Sequence, residues 1–182
     1  LSSQKQHSFA LSLISYIGIS ISIVALSLSF LTFTFFKVND VIFFRFRNTR
    51  QRYFVHANLA LSLALAETLF LFGVSKTTHI KIVCKAIAIT MHYLFLVSFA
   101  WMALEGVVLY LMLVKIFRSK SRPARDKAVF LLCSWGIPAV IVAGSTILFH
   151  EGYGTREFCW LSIEGYFIWA FVGPVLFVCL VS

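Results

Sequence analysis

AIAITMHYLFLVSFAWMALEGVVLYLMLV, residues 86–114, runs for 29 residues with one acid, one histidine and no lysine or arginine. A helix crosses the hydrocarbon core of a bilayer with about 20 mostly apolar residues, whereas a barrel strand needs only about 10. A run this long in lipid satisfies its own backbone groups only as a helix. Four further stretches of the same character flank it: 8–36, 53–74, 128–149 and 165–182, of 29, 22, 22 and 18 residues. The expected architecture is all-α. Residues 1–182 form one polytopic transmembrane helical bundle, with spans at about 9–36, 53–75, 83–116, 128–149 and 164–182.

Composition agrees with that class. The chain is 60% hydrophobic, carries 20 phenylalanines and has a mean hydropathy of +0.90, far outside soluble composition. Its formal charge of +9 would suggest nucleic acid in a soluble protein, but the placement of the charge has a simpler cause. Lys37, Arg45, Arg47, Arg50 and Arg52 lie between spans one and two, and Lys115, Arg118, Lys120, Arg122, Arg125 and Lys127 between spans three and four. Lys5, Lys76, Lys81, Lys85 and Arg156 remain for the opposite side. The excess of basic residues on one side puts both basic loops in the cytoplasm and the N-terminus outside.

No cleavable leader follows the opening LSSQKQHS, and the last span stops without a tail; the expectation is an excerpt of a longer protein. Cys84 and Cys159 fall on the outer, oxidising side. A bridge between them would be worth about 4–5 kcal/mol in the chain-entropy picture. Cys133 and Cys179 lie within apolar helices and read as small packing residues. Span one carries Ser15, Gly18, Ser22, Ala25 and Ser29 on one face, where a neighbouring backbone can approach closely. Pro138 and Pro174 remove backbone donors from spans four and five and should bend them.

Ionisable groups inside spans are costly and point to function by default. His56 and Glu67 in span two are eleven residues apart, about 20° from alignment on one helix face. Asn58 points to nearly the opposite side, at a depth where Trp135 of span four offers an indole N–H. His56 stands about 6 Å along its axis from Arg52, and Glu105 about 15 Å from Lys115. The two meet if span three extends beyond the hydrocarbon edge, as its 29 residues allow. That contact would serve as a structural lock or as a switch. Glu67 and His92, nearer the outer half, either line a pocket or make interhelical hydrogen bonds. No metal-ligand spacing, nucleophile triad, phosphate loop or paired-carboxylate arrangement occurs in the sequence, so neither enzyme activity nor a cofactor is expected.

Several ordered blocks resemble the adhesion branch of the secretin-like G-protein-coupled receptors, closest to its latrophilin-like group. HANLALSLALAETLFLFG (56–73) resembles the second helix of that family, and CKAIAITMHYLFLVSFAWMALEGVVLYLMLVKIF (84–117) the third, including the signature at Leu104, Glu105, Gly106, Leu109 and Tyr110. WGIPAVIV (135–142) resembles the fourth helix, and YGTREFCWLSIEGYFIWAFVGPV (153–175) the second extracellular loop and fifth helix. The resemblance runs from about His7 to the end and implies a seven-helix receptor of which this chain covers helices one to five. It implies a polar switch of His56 and Glu105 at the cytoplasmic end, a packing hydrogen bond between Asn58 and Trp135, and a disulfide between Cys84 and Cys159.

The same resemblance implies partners and location: a multi-pass receptor of the plasma membrane, a heterotrimeric G protein inside, membrane lipid around it, and a tethered apolar peptide agonist from an upstream extracellular region. His7–Leu13 bears a passing likeness to such a peptide but merges with span one, so it reads as helix. The candidate agonist pocket is Phe70, His92, Phe95, Phe99, Trp160, Phe167 and Trp169, chosen by depth and aromatic character; ordinary aromatic core is the competing reading for each. Lys115 and Phe117 are the candidate G-protein contacts, while the first-loop arginines alternatively hold anionic headgroups. Three other functions stay open: a secretin-type peptide hormone receptor, against which the 153–175 block argues; a transporter, for which an internal repeat is missing; and a truncated adhesion or decoy protein that does not signal.

Overall fold

A computed structural model describes residues 2–39, 47–73, 81–114, 123–148, 153 and 169–181, with side chains over 9–35, 52–71, 82–110, 127–148 and 169–180 and at positions 73 and 153. Its helices are α1 (Ser2–Asn39), α2 (Arg47–Gly73), α3 (Lys81–Val114), α4 (Pro123–Leu131), α5 (Ile137–Leu148) and α6 (Trp169–Val181). A single π turn, Leu132–Gly136, joins α4 to α5 in one continuous rod. The described residues therefore form five rods. Four contain a stretch long and apolar enough to cross a bilayer: Phe9–Phe35, Arg52–Leu71, Ile82–Tyr110 and Lys127–Leu148. The described part of the fifth, Trp169–Leu180, is shorter and equally apolar.

The helix α3 is the hub. It packs against α2, the π turn, α5 and α6, and its burial is the deepest of the set: Ala88, Met91, His92, Val97, Ser98 and Trp101 are all at most 1% exposed. A helix buried on more than one side is a core helix. Against it lie two separate packing centres. Toward the N-terminal half of α2, Val55, Val97 and Trp101 gather Phe54, Leu59, Tyr93, Leu104, Phe130 and Trp135. Toward the N-terminal end of α3, Ala88 and Tyr153 gather Ile89 and Phe171.

Serines and threonines are tolerated in these spans because the helix itself accepts their protons. Ser20, Ser29, Thr32, Thr68, Thr90, Ser145 and Thr146 each donate to the carbonyl four residues earlier, at 2.6–2.8 Å. No water is needed to satisfy the hydroxyl in lipid. Close approach explains one glycine. A Cβ on Gly73, at the end of α2, would stand 2.6 Å from Cγ2 of Ile87 on α3.

The small-residue stripe of α1 is not its packing face. Ile19, Ser22, Ile23, Leu26, Ser29, Phe30 and Phe33 are half-buried, whereas Ser15, Gly18 and Ala25 are exposed, and a Cβ on Gly18 would meet nothing. Only Ser22 and Ser29 belong to both stripes. In lipid both faces of a helix are apolar, so small size alone does not fix which one turns inward. Cys133 and Cys179 are likewise exposed free thiols rather than interior packing residues. Pro138 sits directly after the π turn: without an N–H it leaves the Ser134 carbonyl unpaired by the α pattern, and the ladder resumes through the Ile137 N–H to the Cys133 carbonyl. The local answer to this proline is a widened turn. Pro174 lies inside α6.

Candidate functional site: two polar clusters on one helix

Glu105 of α3 and His56 of α2 meet. The imidazole Nε2 and the carboxylate Oε1 are 3.3 Å apart, each side chain about one-quarter exposed. The contact ties α2 to α3. Phe33 of α1 stacks on the His56 ring, with centroids 5.3 Å apart and planes at 24°, and also touches Tyr53. Three helices thus converge on one ion-pairing position. Seven residues before Glu105 on α3, the hydroxyls of Ser62 and Ser98 lie 3.0 Å apart and join α2 to α3 again, an interhelical polar contact of the kind membrane bundles use in place of a hydrophobic drive.

Glu67 turns toward α1. Its Oε1 accepts a hydrogen bond from Ser22 at 2.9 Å, while Oε2 is buried without a partner among the described residues. Of the two readings open for Glu67, the interhelical hydrogen bond is the one formed.

Toward the N-terminal end of α3, His92 is wholly buried. Its Nδ1 lies 2.9 Å from the hydroxyl of Tyr153, and Phe171 of α6 meets the ring edge-on at 6.0 Å. Phe95 and Phe99, on the same side of α3, both pack edge-on against Phe171 at 6.3 Å. Tyr153 itself is only 2% exposed; burial pushes its phenol above the usual range, with the hydroxyls of Thr146 and Ser145 working the other way. The phenol therefore keeps its proton and can donate it.

Of the seven candidate pocket residues, the structure gathers His92, Phe95 and Phe99 around Phe171. Phe70 and Trp169 are 39% and 55% exposed and face outward from the described helices. Trp160 and Phe167 lie outside the described residues, as do Lys115, Phe117 and Cys159. Cys84 is disulfide-bonded. The Asn58–Trp135 hydrogen bond is corrected: Asn58 donates instead to the Phe54 carbonyl of its own helix at 2.8 Å. The π turn holds Trp135 off, so that Asn58, Leu131, Leu132, Trp135 and Gly136 line an open, mostly apolar groove of about 590 Å³. Trp135 binds elsewhere, its carbonyl accepting from Tyr93 at 3.2 Å.

Tyr153, Phe171, Phe33 and the Ser62–Ser98 pair had not been singled out in the sequence. Tyr153 is flanked by Gly152 and Gly154 and Phe171 stands three residues before Pro174, which are the only local signals either offers.

An all-helical bundle of apolar spans, with a polar contact joining α2 to α3 and an aromatic cluster joining α3 to α6, defines a polytopic membrane protein, and the comparisons narrow the class. Residues 8–182 match the family described as 7 transmembrane receptor (Secretin family). Over 172 residues, 94% of this chain, it is 41% identical to "Adhesion G protein-coupled receptor L1" of Homo sapiens. Over 176 residues, 97% of this chain, it is 41% identical to "Adhesion G protein-coupled receptor L4" of Danio rerio. The chain spans 11% of the first relative's length and 22% of the second's. It belongs to the secretin family of seven-transmembrane receptors, in the adhesion branch and its latrophilin-like group.

Proposed function

We propose that this chain is the membrane-spanning part of a signalling receptor of the plasma membrane, with its N-terminus outside and its basic loops in the cytoplasm. An apolar peptide tethered to the receptor's own extracellular region enters beneath the outer loop and activates it. The receptor passes that signal to a heterotrimeric G protein. The observation that carries this reading is the His56–Glu105 contact at 3.3 Å, a costly polar pair spent on joining two helices at the end where a G protein would dock. Loosening it would part α2 from α3 and open a cytoplasmic groove. Lys115 and Phe117 would then touch the G protein.

On the outer side Cys84 pairs with Cys159 and draws the loop over the bundle. The four cysteines of the chain include two free thiols, which supports that pairing. His92, Phe95 and Phe99 form the floor of the agonist site, and Phe70, Trp160, Phe167 and Trp169 remain its further candidates. The test compares G-protein nucleotide exchange by the full-length receptor with and without its upstream extracellular peptide, at equal surface expression. Exchange that depends on the peptide is expected; exchange that is absent in both, or indifferent to the peptide, would refute the reading.

A further inference from the structure

A proline in a helix leaves an acceptor behind it. Pro174 has no N–H, so the carbonyl of Ala170, four residues earlier in α6, has no α-helical donor. Phe171, the next residue along, packs edge-on against the His92 ring of α3 with centroids 6.0 Å apart, which brings this turn of α6 beside the imidazole. On the ring, Nε2 is buried and no partner satisfies hydrogen-bond geometry among the described residues. A rotation of the ring or of α6 would bring Nε2 and the Ala170 carbonyl into hydrogen-bond contact. A buried N–H without an acceptor costs about 1–3 kcal/mol, so the nearest open carbonyl is its natural destination. The opposite nitrogen, Nδ1, is already engaged by the Tyr153 hydroxyl at 2.9 Å.

We propose that His92 is a positioning residue that couples the outer loop to α6, carrying a hydrogen-bond chain from the Tyr153 O–H through Nδ1 and Nε2–H to the Ala170 carbonyl that Pro174 leaves open. The chain requires one tautomer, neutral with the proton on Nε2, because Nδ1 must accept and Nε2 must donate. No residue of the chain is interchangeable with a packing residue of like size: Phe for Tyr keeps the ring and loses the link. The coupling goes beyond the receptor reading and stands without it, since it concerns how three elements hold one another.

The test uses the full-length receptor with selectively ¹⁵N-labelled histidine in lipid bilayers, the His92 signals being assigned by their loss in His92→Gln. Nitrogen shifts of the neutral Nε2–H tautomer are expected; the Nδ1–H tautomer or an imidazolium would overturn the chain. Pro174→Ala returns an N–H to the Ala170 carbonyl and should move the Nε2 resonance although it touches no atom of His92. An unmoved resonance would overturn the α6 half. Tyr153→Phe should move the Nδ1 resonance, and an unmoved one would overturn the loop half. In thermal unfolding of the detergent-solubilised receptor, the Tyr153→Phe, His92→Gln double variant should melt no lower than the worse single variant, whereas additive losses would mean that the two residues act separately. None of these readouts depends on a G protein, so failure here and failure of the receptor reading are distinguishable.

Discussion

Removing the Glu105 charge should raise signalling in the absence of agonist, and the size of the rise follows from the contact. A hydrogen bond to a charged group contributes about 1.5–3 kcal/mol, and a neutral one about 0.5–1.5. Both side chains are about one-quarter exposed, so water screens part of the attraction and the lower part of each range applies. Glu105→Gln keeps an acceptor oxygen facing His56 and loses the charge, a change of about 1 kcal/mol. Glu105→Ala loses the whole contact, about 2 kcal/mol. If the pair is made only in the resting arrangement, these differences bias the two-state equilibrium by about 5-fold and about 30-fold. The assay is agonist-free nucleotide exchange on a G protein in membranes containing the full-length receptor, normalised to surface expression. The ordering Ala above Gln above the native residue is expected. Unchanged exchange in both variants, or a gain from Gln as large as from Ala, would refute the reasoning.

Three further outcomes follow from packing and can be read as melting temperatures in detergent. Gly73→Ala pushes a Cβ to within 2.6 Å of Ile87 and should destabilise by about 1–3 kcal/mol; a companion Ile87→Ala change that vacates the contact should restore most of the loss. Trp101 is fully buried with its indole N–H unpartnered among the described residues. Trp101→Ala should therefore cost about 3 kcal/mol through lost packing, while Trp101→Phe, which deletes the unsatisfied donor along with part of the ring, should cost less than half of that. Ser22→Ala removes the donor to Glu67 at the α1–α2 contact and should cost about 1–2 kcal/mol, with no such loss when Glu67 is already alanine, which offers no acceptor.

The spans and the inner polar pair were readable because lipid makes their physics one-dimensional. An apolar run long enough to cross must be a helix, and counting residues from Arg52 and Lys115 gives the depths of His56 and Glu105. What required the structure was rotation and loop placement. The α1 face could not be read because Ser15, Gly18 and Ala25 and the Ile19, Leu26 and Phe33 stripe are alike acceptable to lipid. The depth of Asn58 matched Trp135, but hydropathy does not encode a π turn, and that turn replaces the expected bond with a groove. Tyr153 sits in a loop of mixed polarity, where nothing local distinguishes a solvated tyrosine from one 2% exposed.

How the outer cluster speaks to the inner one is constrained by the geometry of α3. Thirteen residues separate His92 from Glu105, about 20 Å along the axis and about 140° around it. His92 faces α6 and Glu105 faces α2, on nearly opposite sides. Between them, at Ser98, the contact with Ser62 pins α3 to α2. A rod held near its middle and loaded on opposite sides at its ends is a lever. A wedge that parts α3 from α6 at the outer end drives the inner end away from α2, and so draws Glu105 off His56. Separations beyond about 10 Å usually give additive effects; a lever predicts the opposite. His92→Leu and Glu105→Ala should each raise agonist-free exchange, and together raise it by less than the product of their separate factors, because the first has already part-opened what the second breaks. Substituting Ser98 by Ala, which releases the pin, should bring the combined effect back toward that product. Multiplicative gains with Ser98 intact would show that the two clusters do not communicate through α3.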